Sequence, residues 1–195
     1  KLPNVKNKVI TIDDILRFNY APKNNYNLLD KSMWSVNWEK KIDYIEYQFS
    51  QMSKKYKNIN EGINYYLGIW ENAISYYNDN VILKQEVKFV CHKRLGINTD
   101  LLEFLNPLNF VVDYKERDIG DYLKSYIINE KYTFDKLKNI LNKLSHDKND
   151  ASRLITRIMF PSFYFDKYEE IIINEEDDKS ILLFNTKTDN YEDFL

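Results

Sequence analysis

Two short stretches hold the residue types that could carry chemistry, Cys91-His92-Lys93-Arg94 and Val112-Asp113-Tyr114. A histidine can pass a proton near neutral pH, and a carboxylate can hold a divalent cation or accept a proton. His92 and Asp113 stand 21 residues apart. A strand, a loop, a hairpin and a return strand of that length would bring them close together. Irregular backbone between short strands is also where a helical scaffold can present polar groups. The plainer readings are structural: His92 as a hydrogen-bonded residue at a strand end, Asp113 as a turn cap, and Cys91 as a small buried apolar residue. His146 lies in a charged run from Lys143 to Asp150 that reads as a solvated face. One cysteine and two histidines supply neither a disulfide framework nor a Cys/His zinc site.

The elements that must position these residues are mostly helices. Thr11 caps a short helix ending near Phe18, with Asp13 and Asp14 favoured by the helix dipole. From Tyr20 to about Ser35 no apolar period appears, which predicts a loop. Trp38, Ile42, Ile45, Phe49 and Met52 share one helical face. Asn60 is the expected cap of a second helix with Ile63, Leu67, Trp70, Ile74 and Tyr77 inward, closed by Asn78-Asp79-Asn80. The pair predicts a helical hairpin.

Val87 to Cys91 and Phe110 to Val112 predict short strands, with Leu101 to Phe104 as an optional third. Asp118 then precedes a helix with Ile119, Leu123 and Tyr126 or Ile127 inward. Thr133 opens the next, with Phe134, Leu137, Leu141 and Leu144 inward, and Asp150 caps a third with Leu154, Ile155 and Ile158, which Pro161 ends. An aromatic helix from Phe163 to Ile173 should face the core. Beyond Asn174 an acidic turn leads to a short apolar run. The expected fold is mainly α with a small β-hairpin insert, divided into an N-terminal short helix and extended segment (1–37), a helical body (38–173) and a C-terminal tail (174–195).

Composition narrows the function classes. In 195 residues, 28 basic side chains nearly cancel 30 acidic ones, leaving a net charge of −2 and no electrostatic footprint for nucleic acid. The longest apolar runs, such as Ile181 to Phe184, fall far below the ~20 residues that cross a bilayer. No signal peptide opens the sequence, so a cytoplasmic protein without a membrane partner is expected. The first residue is Lys, which fits a processed product or part of a longer protein. Gly62, Gly68, Gly96 and Gly120 form no phosphate-cradling motif, so no cofactor-binding residues are recognised.

Several stretches, taken in order, carry a family resemblance: Trp38 to Glu46, Asn64 to Ile69, Asn106-Pro107-Leu108-Asn109-Phe110-Val111-Val112-Asp113, Arg117 to Leu123, and Met159 to Asp166. The chain resembles the C-terminal lobe of the aminoglycoside phosphotransferase and choline kinase-like superfamily, and within it the bacterial spore coat kinase-like proteins. The resemblance implies a kinase-like helical lobe over 38–173 and, in a complete enzyme, Mg²⁺ and ATP as cofactors. On its register His92 belongs to the catalytic loop, Asp113 matches the metal-binding aspartate, and Asp118 matches the aspartate that caps the next helix. The positions of the general base and of a second metal ligand are Arg94 and Thr99. Asn98 or Asp100, on either side of Thr99, could restore the metal ligand in a slipped loop. The nucleotide-covering N-terminal lobe has no counterpart in the first ~35 residues, and the shortage of glycine fits that, because the phosphate loop belongs to that lobe.

Three readings follow. The first is a catalytically degenerate kinase-fold protein acting by binding or assembly in sporulation, with coat or other proteins as partners and the spore coat as its place. The second is a working phosphotransferase on an unidentified small molecule, of which this is one lobe. The third is a helical interaction module.

Overall fold

The computed structural model describes residues 8–18, 27–52, 54–82, 87–129, 138–139, 141–142 and 147–195. Its elements are α1 (Ile12–Phe18), α2 (Trp34–Met52), α3 (Lys57–Asn80), β1 (Phe89–His92), α4 (Leu101–Phe104), β2 (Phe110–Asp113), α5 (Glu116–Asn129), α6 (Lys148–Met159), α7 (Ser162–Asn174) and α8 (Lys179–Glu192). The mainly helical reading with a small hairpin holds. Of the helix expected from Thr133 only 138–139 and 141–142 are described, and these are helical; its other residues and His146 lie outside the described residues.

α1 begins as its sequence dictates. Thr11 Oγ1 accepts from the Asp14 amide at 3.3 Å while Asp14 Oδ2 accepts from the Thr11 amide at 2.9 Å, a reciprocal cap. α2 starts at Trp34, inside the expected loop, because Trp34 and Trp38 continue the buried stripe of Ile42 and Ile45 by one more turn. α3 buries all five residues of its predicted stripe and packs on α2. Its cap is not Asn60. The helix begins at Lys57, and Asp178, from the corner before α8, accepts from the Asn58 amide at 2.8 Å and from Asn58 Nδ2 at 2.7 Å. A carboxylate remote in sequence thus satisfies donors that a local side chain would otherwise take. Asp178→Ala should cost about 1 kcal/mol, read as a lower midpoint in urea unfolding.

β1 and β2 pair antiparallel, with Phe89 opposite Asp113 and His92 opposite Phe110. The segment around Asp30 runs alongside β2, where Lys31 N donates to Val112 O and Val112 N to Leu29 O. Leu101–Phe104 is a helical turn and not a third strand, since Asp100 caps it by accepting from the Glu103 amide at 2.8 Å. α6 is likewise capped by Asp147, which accepts from the Asp150 amide, and this frees the Asp150 carboxylate for Lys115 and Arg153. α6 ends at Met159, just before Pro161, and Pro161 precedes α7.

Residues after Asn174 form α8, which the apolar run of Ile181 to Phe184 alone did not predict. Its buried Ile181, Thr188 and Tyr191 explain why it docks. Tyr191 OH meets the carbonyls of Ile158 and Met159, and Lys124 Nζ meets those of Arg157 and Phe160. The single Tyr191 hydroxyl hydrogen serves the nearer Met159 carbonyl at 2.6 Å, with that of Ile158 at 3.0 Å, while Lys124 serves the other two carbonyls around the α6 C-terminus.

Two apolar clusters result. One joins α2, α3 and α7 through stacked rings, Trp38 on Phe160 at 4.1 Å and Tyr66 on Tyr164 at 3.8 Å. The other joins α1, α4, α5 and α6 around Ile15, Leu123 and Ile158. Phe163 packs against both. Tyr164, Phe165 and Tyr168 of α7 are buried, so the aromatic helix is core as expected. Among the described residues no helix is long and apolar enough to cross a membrane.

Candidate functional site

His92 closes β1, and its side chain is 1% exposed. Its Nε2 faces the Phe104 carbonyl at 2.8 Å and its Nδ1 faces Asp118 Oδ2 at 2.7 Å, while its amide donates to Asp118 Oδ1 at 2.8 Å. A carbonyl can only accept, so the hydrogen bond at Nε2 is donated by the ring, and Nδ1 pairs with the carboxylate. The ring stacks on Phe104 at 4.5 Å, with Phe18 at 5.0 Å. His92 therefore clasps β1, α4 and α5 together, with both nitrogens occupied. Asp118 lies in the first turn of α5, two residues past its start at Glu116, and its carboxylate serves His92.

Asp113, at the end of β2, is fully buried. Oδ1 accepts from Trp34 Nε1 and from the Tyr114 amide, each at 2.8 Å, and Oδ2 accepts from Arg117 at 2.8 Å. Burial pushes this carboxyl above its usual range, although Arg117 pulls it down. Arg117 also donates to the carbonyls of His92 (2.7 Å) and Lys93 (2.9 Å). Strand pairing brings the two stretches side by side but sets His92 opposite Phe110 and Asp113 opposite Phe89, at opposite ends of the ladder. Arg117 reaches from the end of β1 to the end of β2.

The other expected site residues are elsewhere. Arg94 is exposed and pairs with Asp166 of α7 at 3.0 Å. Asn98 is exposed in a turn, and Asp100 is exposed and engaged in capping α4. Among the described residues no three His, Cys, Asp or Glu side chains gather as a metal-holding group. In this arrangement Trp34 and the Tyr114 amide fill Oδ1, and Arg117 sets a positive charge against Oδ2, so a Mg²⁺ approaching that oxygen would meet the guanidinium.

Arg94 and Arg117 line a cleft of about 650 Å³ bounded by the start of α2, the segment after β1, α5 and the α6–α7 corner. Its floor is a charge network that the sequence did not reveal. Asp121 accepts from Arg157 Nε at 2.9 Å and from the other guanidinium arm at 2.7 Å, and Lys124 Nζ lies 3.5 Å away. Burial pulls the Lys124 ammonium down to about 8, against the attraction of Asp121. Asp166 faces the cleft with its carboxyl pushed up by burial, although Arg94 pulls it down. Gly120 makes the helix crossing possible, because a Cβ there would stand 2.6 Å from Arg157 Cγ. The available signal was the spacing Arg117, Asp121, Lys124 within α5, since steps of four and three place charges on one helical face.

Below the cleft, Glu116 is buried beside Arg153 (3.3 Å), and burial pushes it to about 7. The unfolded chain releases this proton near the ordinary glutamate value of 4.5 and the folded chain near 7. Stability contributed by the group therefore falls as pH rises through that window, by up to about 3 kcal/mol. Glu116→Gln should flatten the fall, measured as the difference in urea stability between about pH 5 and about pH 7.5.

Residues 17–194 match the family described as "Spore coat putative kinase YutH". The chain belongs to this family. It is 26% identical over 163 residues to the endospore coat-associated protein YutH of Bacillus subtilis (strain 168), a match covering 75% of this chain and 48% of that protein. The chain thus spans about half the length of the curated relative it matches. No solved structure matches. The expected relation to spore coat kinase-like proteins holds at the family level.

Proposed function

We propose that this chain is a kinase-like C-terminal lobe that has lost catalysis and acts by binding or assembly in the spore coat. The observation that carries this reading is the engagement of Asp113. A phosphotransferase needs a carboxylate free to hold Mg²⁺ and a base to take the hydroxyl proton. Here Asp113, which the resemblance matches to the metal-binding aspartate, accepts from Trp34, Tyr114 and Arg117, and the residue that the resemblance aligns with the base is a guanidinium, Arg94. The coat association of the Bacillus subtilis relative supports the setting.

One observation favours the working enzyme. Asp166 puts a carboxylate with a raised pKa beside Arg94 in the cleft, where a proton acceptor recruited from α7 could replace the missing base. The test is nucleotide turnover by the complete natural protein with Mg·ATP, beside its Asp166→Asn variant. The degenerate reading expects no hydrolysis or transfer above buffer in either. Turnover that disappears in Asp166→Asn would contradict it.

A further inference from the structure

We infer that the cleft binds a small organic anion, a phosphate ester with a flat apolar group, without needing a metal. This goes beyond loss of catalysis, because it names what the retained cleft can hold.

The cleft carries a surplus of positive charge. Seven Lys and Arg side chains line the cleft against three carboxylates, Glu103, Asp121 and Asp166. Two further carboxylates behind the wall offset part of this, since Asp113 holds Arg117 and Glu169 holds Lys41. Two positive charges remain. Lys124 shares Asp121 with Arg157, and Glu103 offsets that extra cation in the count. Lys31 and Lys93 face no carboxylate within ion-pair distance among the described residues, and Lys93 Nζ donates to the Leu108 carbonyl at 2.8 Å. Arg94, 75% exposed, makes a single contact to one Asp166 oxygen, which leaves most of its donors open to a ligand. The whole chain carries −2, so this local surplus opposes the overall charge.

The cleft's shape and lining suit a small molecule. A concave cleft of about 650 Å³ falls within the size range of small-molecule sites. Among the cations it presents the half-buried rings of Phe163 and Phe184 and what is exposed of Trp38 and Phe160, which stack on each other. Rings beside cations fit a ligand whose charge is joined to a flat apolar part. The same charge balance disfavours an organic cation, which would meet a surplus of its own sign.

The test is calorimetric titration of the complete natural protein with phenyl phosphate, inorganic phosphate and choline, in a chelator and without nucleotide, at about 10 mM and about 0.15 M salt. Phenyl phosphate should bind, more tightly than inorganic phosphate, with affinity falling as salt rises, and choline should not bind. Lys31→Ser with Lys93→Ser should weaken phenyl phosphate about ten-fold while melting like the wild type. Lys55→Ser, which alters an exposed lysine beside Glu175 at 3.8 Å and outside the cleft lining, should bind as the wild type does. No phenyl phosphate binding, equal affinity in the double variant, equal weakening in Lys55→Ser, or binding of choline would each overturn the inference. Because nucleotide and metal are excluded, these outcomes stand apart from Mg·ATP turnover, which would overturn only the degenerate reading.

Discussion

Asp113→Ala should lower the stability of the fold by about 3–5 kcal/mol and the melting temperature by about 10 °C, followed by circular dichroism. The size of the effect comes from what the substitution leaves behind. The carboxylate is fully buried and accepts hydrogen bonds from Trp34, Arg117 and the Tyr114 amide. Removing it strands the indole N–H and leaves the Arg117 side chain, 11% exposed, without its counter-charge. An unpaired buried cation costs far more than the ion pair contributes net. Asp113→Asn should lose less, because the amide oxygen can still accept from Trp34 and the Tyr114 amide, although its NH2 group cannot accept from Arg117 and the counter-charge is lost. A surface turn cap would show about 1 kcal/mol, so the magnitude separates the two roles.

Asp121→Ala should be as damaging, again about 3–5 kcal/mol. Asp121 faces two cations, Arg157 through paired hydrogen bonds and Lys124 at 3.5 Å. Without it two positive charges would be buried between α5 and α6. Lys124 would then have reason to lose its proton, which weakens its hydrogen bonds to the Arg157 and Phe160 carbonyls by removing their charge assistance. Asp121→Ala with Lys124→Met should recover part of the loss, because the second substitution removes one stranded charge. Urea unfolding of the single and double variants measures that coupling.

How legible these roles were in the sequence depended on range. Helix faces such as Ile63 to Tyr77 and the aromatic stripe of α7 follow from local periodicity, and the structure buries them. The strands at β1 and β2 follow from short β-branched runs. What local reasoning misplaced were caps, because a helix end accepts any carboxylate that reaches it. Asp178 crosses 120 residues to cap α3, and Asp147 takes the position assigned to Asp150. α8 was missed because its polar face outweighs its apolar one, and docking of Ile181 and Tyr191 decides the matter.

The site divided the same way. His92 and Asp113 were singled out by residue type, and both prove to be central, but as buried junctions. Their partners Trp34 and Arg117 were not found, since no local pattern states that an indole 79 residues upstream will donate to Asp113. The floor of the cleft, Asp121, Lys124 and Arg157, carried only the faint signal of charges at helical spacing. Gly120, one of four glycines, permits the approach of Arg157, a role visible only once α5 and α6 are packed.

The measurement that tests the central claim most directly is thermal unfolding of the complete natural protein and its Asp113→Asn variant, each with and without Mg²⁺ and ATP. If Asp113 is a structural junction in a lobe that has lost catalysis, the variant melts lower in plain buffer, and Mg·ATP shifts neither protein. A wild type that Mg·ATP stabilises, beside an Asp113→Asn protein that melts at the wild-type temperature in plain buffer but no longer responds to Mg·ATP, would contradict the account and make Asp113 a metal ligand.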